Sequence, residues 1–90
     1  MELTPQIYEV LDVEARLSVP VASLGDTDDL FARGLSSHST VNVMLALESA
    51  FEVEFPDSML NKRTFQSIAA IRSALEELLQ PGSMGLPTSN

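Results

Sequence analysis

Cysteine is absent from this chain of 90 residues, and histidine occurs once. No disulfide, thiolate metal site or cysteine nucleophile is therefore available. One imidazole without thiolates cannot assemble a structural zinc site of the usual ligand set. Positive charge is also scarce: 5 Lys plus Arg face 13 Asp plus Glu, for a formal charge of −8. Nucleic acid and anionic lipid would repel such a chain. The 4 glycines show neither the G-x-G-x-x-G nor the P-loop spacing, so a glycine loop cradling phosphate is not expected. No apolar run approaches the ~18 residues needed to span a bilayer. Met1-Glu2-Leu3-Thr4-Pro5 lacks the basic and apolar regions of a signal peptide. These absences predict a cytoplasmic, acidic single domain with neither a nucleic-acid nor a membrane partner.

What is present is a hydrophobic fraction of 44%, enough for one core. A domain this small has little stability to spare and little room for a deep cleft. That favours a binding or carrier module over an enzyme. Thr4-Pro5 looks like a helix start, with the hydroxyl as cap and proline first. Apolar spacing through Ile7, Val10, Leu11 and Leu17 predicts a first helix over 5–17. A long connection, 18–34, follows, with Leu24, Leu30 and Phe31 as apolar anchors and a single helical turn at 28–31. A second helix of about 14 residues begins after Gly34-Leu35, capped by Ser36 or Ser37. Val41, Leu45, Leu47 and Phe51 are its core candidates, with Met44 either core or surface. An extended connector, 51–55, tucks Phe51, Val53 and Phe55 inward. Pro56-Asp57 opens a short third helix that stops near Asn61. Thr64 caps the last helix, whose apolar stripe is Ile68, Ile71, Leu75 and Leu78, and Gln80-Pro81-Gly82 ends it. The expectation is an all-α bundle of three main helices and a short third one, occupying 1–80, with a flexible tail over 81–90.

Few residues could carry chemistry. His38 neighbours Ser37, but adjacent helical residues do not face each other, and no orienting acid or oxyanion site is marked. The constellation Gly34-Leu35-Ser36-Ser37-His38-Ser39-Thr40-Val41 is more informative. A glycine precedes paired hydroxyls at a helix start, where unpaired amides and the helix dipole favour a phosphate. The same hydroxyls could simply cap the helix.

Ser37 and the run that follows it, through Met44-Leu45-Ala46-Leu47-Glu48, resemble the modification site of acyl carrier proteins, Gly-x-Asp-Ser-Leu followed by a helix. Phe51-Glu52-Val53-Glu54-Phe55-Pro56-Asp57 is similar to that family's Phe-x-Ile-Glu-Ile-Pro-Asp segment. Thr64-Phe65-Gln66-Ser67-Ile68 falls where its last helix begins. The resemblance spans about 28–79 and implies the four-helix acyl-carrier-protein-like fold. It further implies that Ser37 accepts 4′-phosphopantetheine from coenzyme A through a phosphopantetheinyl transferase. The terminal thiol would then carry a thioester. Departures are local: Asp-Ser-Leu reads Ser36-Ser37-His38, and Ser39 and Asn42 stand where acids are common.

A narrower resemblance rests on Asp29-Leu30-Phe31-Ala32, Gly34-Leu35-Ser36-Ser37 and the segment from Phe55 to Phe65 with Leu60-Asn61-Lys62-Arg63-Thr64. It is to the carriers served by amino acid:[carrier protein] ligases, which are similar to seryl-tRNA synthetase catalytic cores. It implies loading with glycine or alanine, no catalysis by the carrier itself, and a monomer. Partner contacts would then fall to Leu35, Ser36, His38, Ser39, Asn42, Val43, Met44, Lys62 and Arg63. An acyl carrier of a specialised lipid or polyketide pathway, an unmodified helical interaction module, and a Ser37–His38 hydrolase are the alternatives.

Overall fold

A computed structural model describes residues 3–80, and the expected tail, 81–90, lies outside them. Among the described residues the fold is all-α: α1 Thr4–Glu14, α2 Ser37–Phe51 and α3 Ile68–Leu79, with three 3₁₀ turns at Val21–Ser23, Asp57–Met59 and Lys62–Phe65. α1 packs against both α2 and α3. Ile7 and Leu11 from α1, Val43 and Leu47 from α2, and Ile68, Ile71 and Leu75 from α3 form a fully buried core that Leu30 completes from the loop.

Several expectations are corrected. Thr4 does not cap α1. Leu3 holds the cap position with no side-chain bond, and Thr4 Oγ1 accepts a hydrogen bond from Arg72 Nη1 at 3.2 Å. α1 ends at Glu14, short of Leu17, because Arg16 turns left-handed at φ 54°. The short third helix is two 3₁₀ turns. Thr64 sits inside the second of them and donates its backbone N–H to Asn61 Oδ1. The last helix is capped by Ser67, whose Oγ accepts from Ala70 N at 3.1 Å. On α2 the buried stripe is Ser39, Val43, Leu47 and Phe51. Val41 and Leu45, expected in the core, are 51% and 53% exposed.

The long loop is fixed rather than free-standing. Tyr8 Oη donates to Leu24 O at 3.1 Å. Leu30 N donates to Gln66 O at 2.7 Å, and Ala69 N to Asp26 O at 2.9 Å. Arg72 forks onto both carboxylate oxygens of Asp26. The expected helical turn lies slightly later than 28–31, over 30–34, with Asp29 Oδ1 accepting from Phe31 N at 3.0 Å as its cap. After α2, Glu52 turns left-handed, and Glu48 Oε2 accepts from Phe55 N at 2.9 Å. That bond holds the connector so that Phe55 packs on Phe65, ring centroids 5.4 Å apart.

Candidate functional site

The N-terminus of α2 is set by three devices. Gly34 has φ 115°, and a Cβ there would lie 2.9 Å from Ser18 N, so only glycine passes this point unstrained. Next to it, Ser18 donates from both N (2.8 Å) and Oγ (2.7 Å) to Arg33 O. Leu35 then returns its N–H to Leu30 O at 3.0 Å, closing the turn. Ser36 is extended, with φ −104° and ψ 168°, and its Oγ accepts from Ser39 N at 3.0 Å. The cap is therefore Ser36, which leaves Ser37 as the first helical residue.

Ser37 is exposed, and its hydroxyl makes no hydrogen bond among the described residues. Ser39 N is taken by the cap, and Thr40 N by Ser36 O at 2.8 Å. Among the described residues the amides of Ser37 and His38 have no hydrogen-bond partner, and they lie at the positive end of the dipole, which suits an anion carried on Ser37.

Ser37 stands on the edge of a groove of about 590 Å³ between α2 with the loop before it and the third 3₁₀ turn with Leu60 and Asn61. Phe31, Leu35, Val41, Met44, Leu60 and Phe65 form its apolar walls, and Lys62 lies on its rim. Lys62 Nζ rests 5.0 Å from the Phe31 ring centroid, a cation–π contact that holds the ammonium there.

The structure divides the candidate contact residues. Ser36, His38, Lys62 and Arg63 are exposed, and Asn42 and Met44 are half-buried. Leu35 is buried yet lines the groove. Val43 is fully buried in the core, and Ser39 is buried with its Oγ accepting from Ser36 Oγ at 3.0 Å. Both are turned into the fold. Val41, Leu45 and Leu60, not among those candidates, are exposed. The missed signal was the four-residue step through Ser39, Val43, Leu47 and Phe51, which places Val41 and Leu45 on another face. Among the described residues no cluster of His, Asp and Glu could hold a metal ion.

An exposed serine with an unbonded hydroxyl at the start of a helix, set on a small all-α fold, is chemically able to carry a covalently attached group. Residues 3–79 match the family described as the phosphopantetheine attachment site, and the chain belongs to that family. 4′-Phosphopantetheine is the group the family carries, and the free hydroxyl, unpaired amides and apolar groove fit it. The chain is 44% identical over 73 residues to an aminoacyl carrier protein of Agrobacterium fabrum (strain C58 / ATCC 33970), covering 81% of this chain and 88% of that protein. It also matches a chain in the crystal structure of an engineered Bradyrhizobium japonicum glycine:[carrier protein] ligase complexed with a carrier protein from Agrobacterium tumefaciens and AMP. There the TM-score is 0.81 at 42% identity, over 82% of this chain and 99% of that one. A chain in the complex of the Bradyrhizobium japonicum ligase with glycylated carrier protein matches with TM-score 0.68 at 25% identity, over 79% and 95%. The fold is thus the acyl-carrier-protein-like bundle expected, its short third helix reduced to 3₁₀ turns. No helix among the described residues is long and apolar enough to cross a membrane.

Proposed function

We propose that Ser37 is the residue to which 4′-phosphopantetheine is attached. In this reading the thiol of the attached group carries a small amino acid, glycine or alanine, as a thioester. The amino acid comes from an amino acid:[carrier protein] ligase similar to a seryl-tRNA synthetase core, and a phosphopantetheinyl transferase attaches the group. The chain performs no catalysis. It acts as a monomeric carrier domain over 1–80 in the cytoplasm, where coenzyme A is available. The observation that carries this is the unbonded Ser37 hydroxyl, presented at the first position of α2 by the Ser36 cap. The likeness to aminoacyl carriers, and to a chain crystallised with a glycine ligase, supports the choice of cargo.

The chain's own part is presentation. Ser36 holds the first turn, Gly34 and the Ser18 clamp fix the approach to it, and the Ser37 and His38 amides would be available to the phosphodiester. When bound, the group supplies a thiol on a long arm, which the protein itself lacks for want of cysteine.

Intact-protein mass after incubation with coenzyme A, Mg²⁺ and a phosphopantetheinyl transferase tests the site. One phosphopantetheinyl increment is expected on the wild type and none on Ser37→Ala. The Ser37 side chain makes no bond, so the variant keeps its fold and the loss reads on attachment alone. An increment surviving in Ser37→Ala moves the site to Ser36. Charging the modified protein with glycine, alanine and fatty acids then separates an aminoacyl carrier from an acyl carrier.

A further inference from the structure

The groove beside Ser37 is walled by residues of two segments, 31–44 and 60–65. Neither contains an aspartate or glutamate, although the chain has 13. Together they hold Arg33, Lys62 and Arg63, all exposed. These are three of the chain's 5 basic residues, and another, Arg72, is engaged with Asp26 on a different part of the molecule. Apolar surface lies in the same place. Val41 and Leu45 are one helical turn apart on α2, 51% and 53% exposed, and Leu60, 45% exposed, shares the groove with Val41. A protein of net charge −8 therefore presents Ser37 within a face that is apolar and locally positive.

Resting on the carrier reading above, we propose that this face docks a protein partner whose own surface is an apolar patch edged by carboxylates. Val41, Leu45 and Leu60 supply the buried centre of the contact, and Lys62 and Arg63 supply its charged edge. Charge complementarity fixes the polarity. The acids on the rest of the chain repel a carboxylate-bearing surface everywhere except here, so approach is steered toward Ser37. A basic partner surface finds no acid to pair with in the segments that wall the groove and is attracted instead to the acid-bearing parts of the molecule. The same net charge opposes an extended polyanion such as nucleic acid or an anionic membrane, which cannot meet the small cationic patch without also meeting the surrounding acids.

The test uses the protein carrying its prosthetic group, with the Bradyrhizobium japonicum glycine:[carrier protein] ligase as the probe partner. Initial rates of glycine loading are measured against carrier concentration at low and high salt. The double variant Lys62→Glu/Arg63→Glu is expected to raise KM about fivefold or more at low salt with kcat nearly unchanged. At high salt the gap should narrow, since exposed charges are screened within about 10 Å at 0.1 M salt and less beyond. Val41→Ser/Leu45→Ser is expected to raise KM by a similar factor that salt does not relieve. Unchanged KM in both double variants overturns the docking surface. A lower KM on charge reversal overturns its polarity, and co-sedimentation of the wild type with anionic phosphatidylglycerol vesicles replaces the protein partner with a membrane. Wild type that takes no glycine at all instead overturns the amino-acid reading on which this inference rests.

Discussion

Gly34→Ala should cost the fold more than any other single methyl group added to its surface. Two terms act at that residue. The backbone sits at φ 115°, and the new Cβ would lie 2.9 Å from Ser18 N, a backbone atom that cannot swing aside. Holding an alanine at such a φ costs about 1–3 kcal/mol. Moving Ser18 away weakens its two bonds to Arg33 O, each of which contributes about 0.5–1.5 kcal/mol. Alanine returns only about 0.4–1 kcal/mol by stiffening the unfolded chain. The net loss is about 2–3 kcal/mol, equivalent to a drop of about 10–20 °C in Tm for a domain this size. Thermal and urea unfolding, followed by far-ultraviolet circular dichroism, measure it. Gly25→Ala is the matched control in the same loop. Its added Cβ would meet nothing nearer than Asp28 Oδ2 at 3.7 Å, an ordinary contact. That variant should be neutral or more stable by up to about 1 kcal/mol. If the two alanines behave alike, or Gly34→Ala loses less than about 3 °C, the assignment of strain to Gly34 is wrong. Because Gly34 leads directly into the Ser36 cap, slower phosphopantetheinylation of the folded Gly34→Ala protein is also expected.

Leu47→Ala on the buried stripe of α2 should cost about 2–5 kcal/mol, while Val41→Ser and Leu45→Ser, on exposed positions, should stay within about 0.5 kcal/mol of wild type in urea titrations. Ser67→Ala removes the α3 cap and should cost about 1 kcal/mol. Thr64→Ala loses only a 3.3 Å hydroxyl contact to Asn61 and should cost no more than a few tenths of a kcal/mol. Arg72 holds Asp26 below its ordinary value of 3.8, chiefly by hydrogen bonding. The unfolded chain therefore binds this proton more readily than the native one. The ion pair's contribution is complete above about pH 5 and is lost as pH falls below 3.8. Asp26→Asn should flatten that part of the acid-unfolding curve, and an unchanged curve would remove Asp26 from the account.

The helix starts show why sequence spacing reads some of this molecule and not the rest. Ser36 and Ser37 are chemically equal, and only the backbone decides between them. Ser36 is extended and reaches Ser39 N, so Ser37 becomes the free hydroxyl. Thr64 and Ser67 pose the same ambiguity one turn apart, each followed by apolar residues. There the 3₁₀ turn takes Thr64, and the chain restarts its helix from an extended Ser67 at φ −148°. The motif around Ser37 and the stripe through Ile68, Ile71 and Leu75 were legible because each depends on near neighbours. The bonds that fix the long loop, Leu30 N to Gln66 O and Ala69 N to Asp26 O, join residues far apart in the chain. No local pattern encodes those pairings.

α2 carries two apolar stripes, which is why Val41 and Leu45 read as core in the sequence. Val41 and Leu45 repeat with the same four-residue step as Val43 and Leu47, so two members of each stripe taken by themselves do not say which pair faces inward. Geometry settles it: a helix packed on one side buries one stripe, and here that stripe continues through Phe51. The second is then surplus to folding. Lone exposed apolar side chains need no explanation, but contiguous ones mark a contact surface. Val41 lies about one turn and Leu45 just over two turns beyond Ser37 on α2, and Leu60 lines the same groove as Val41. A chain this small gains nothing in stability from leaving those side chains in water. They fit the docking surface proposed above, which a partner would cover while it reaches the group proposed for Ser37.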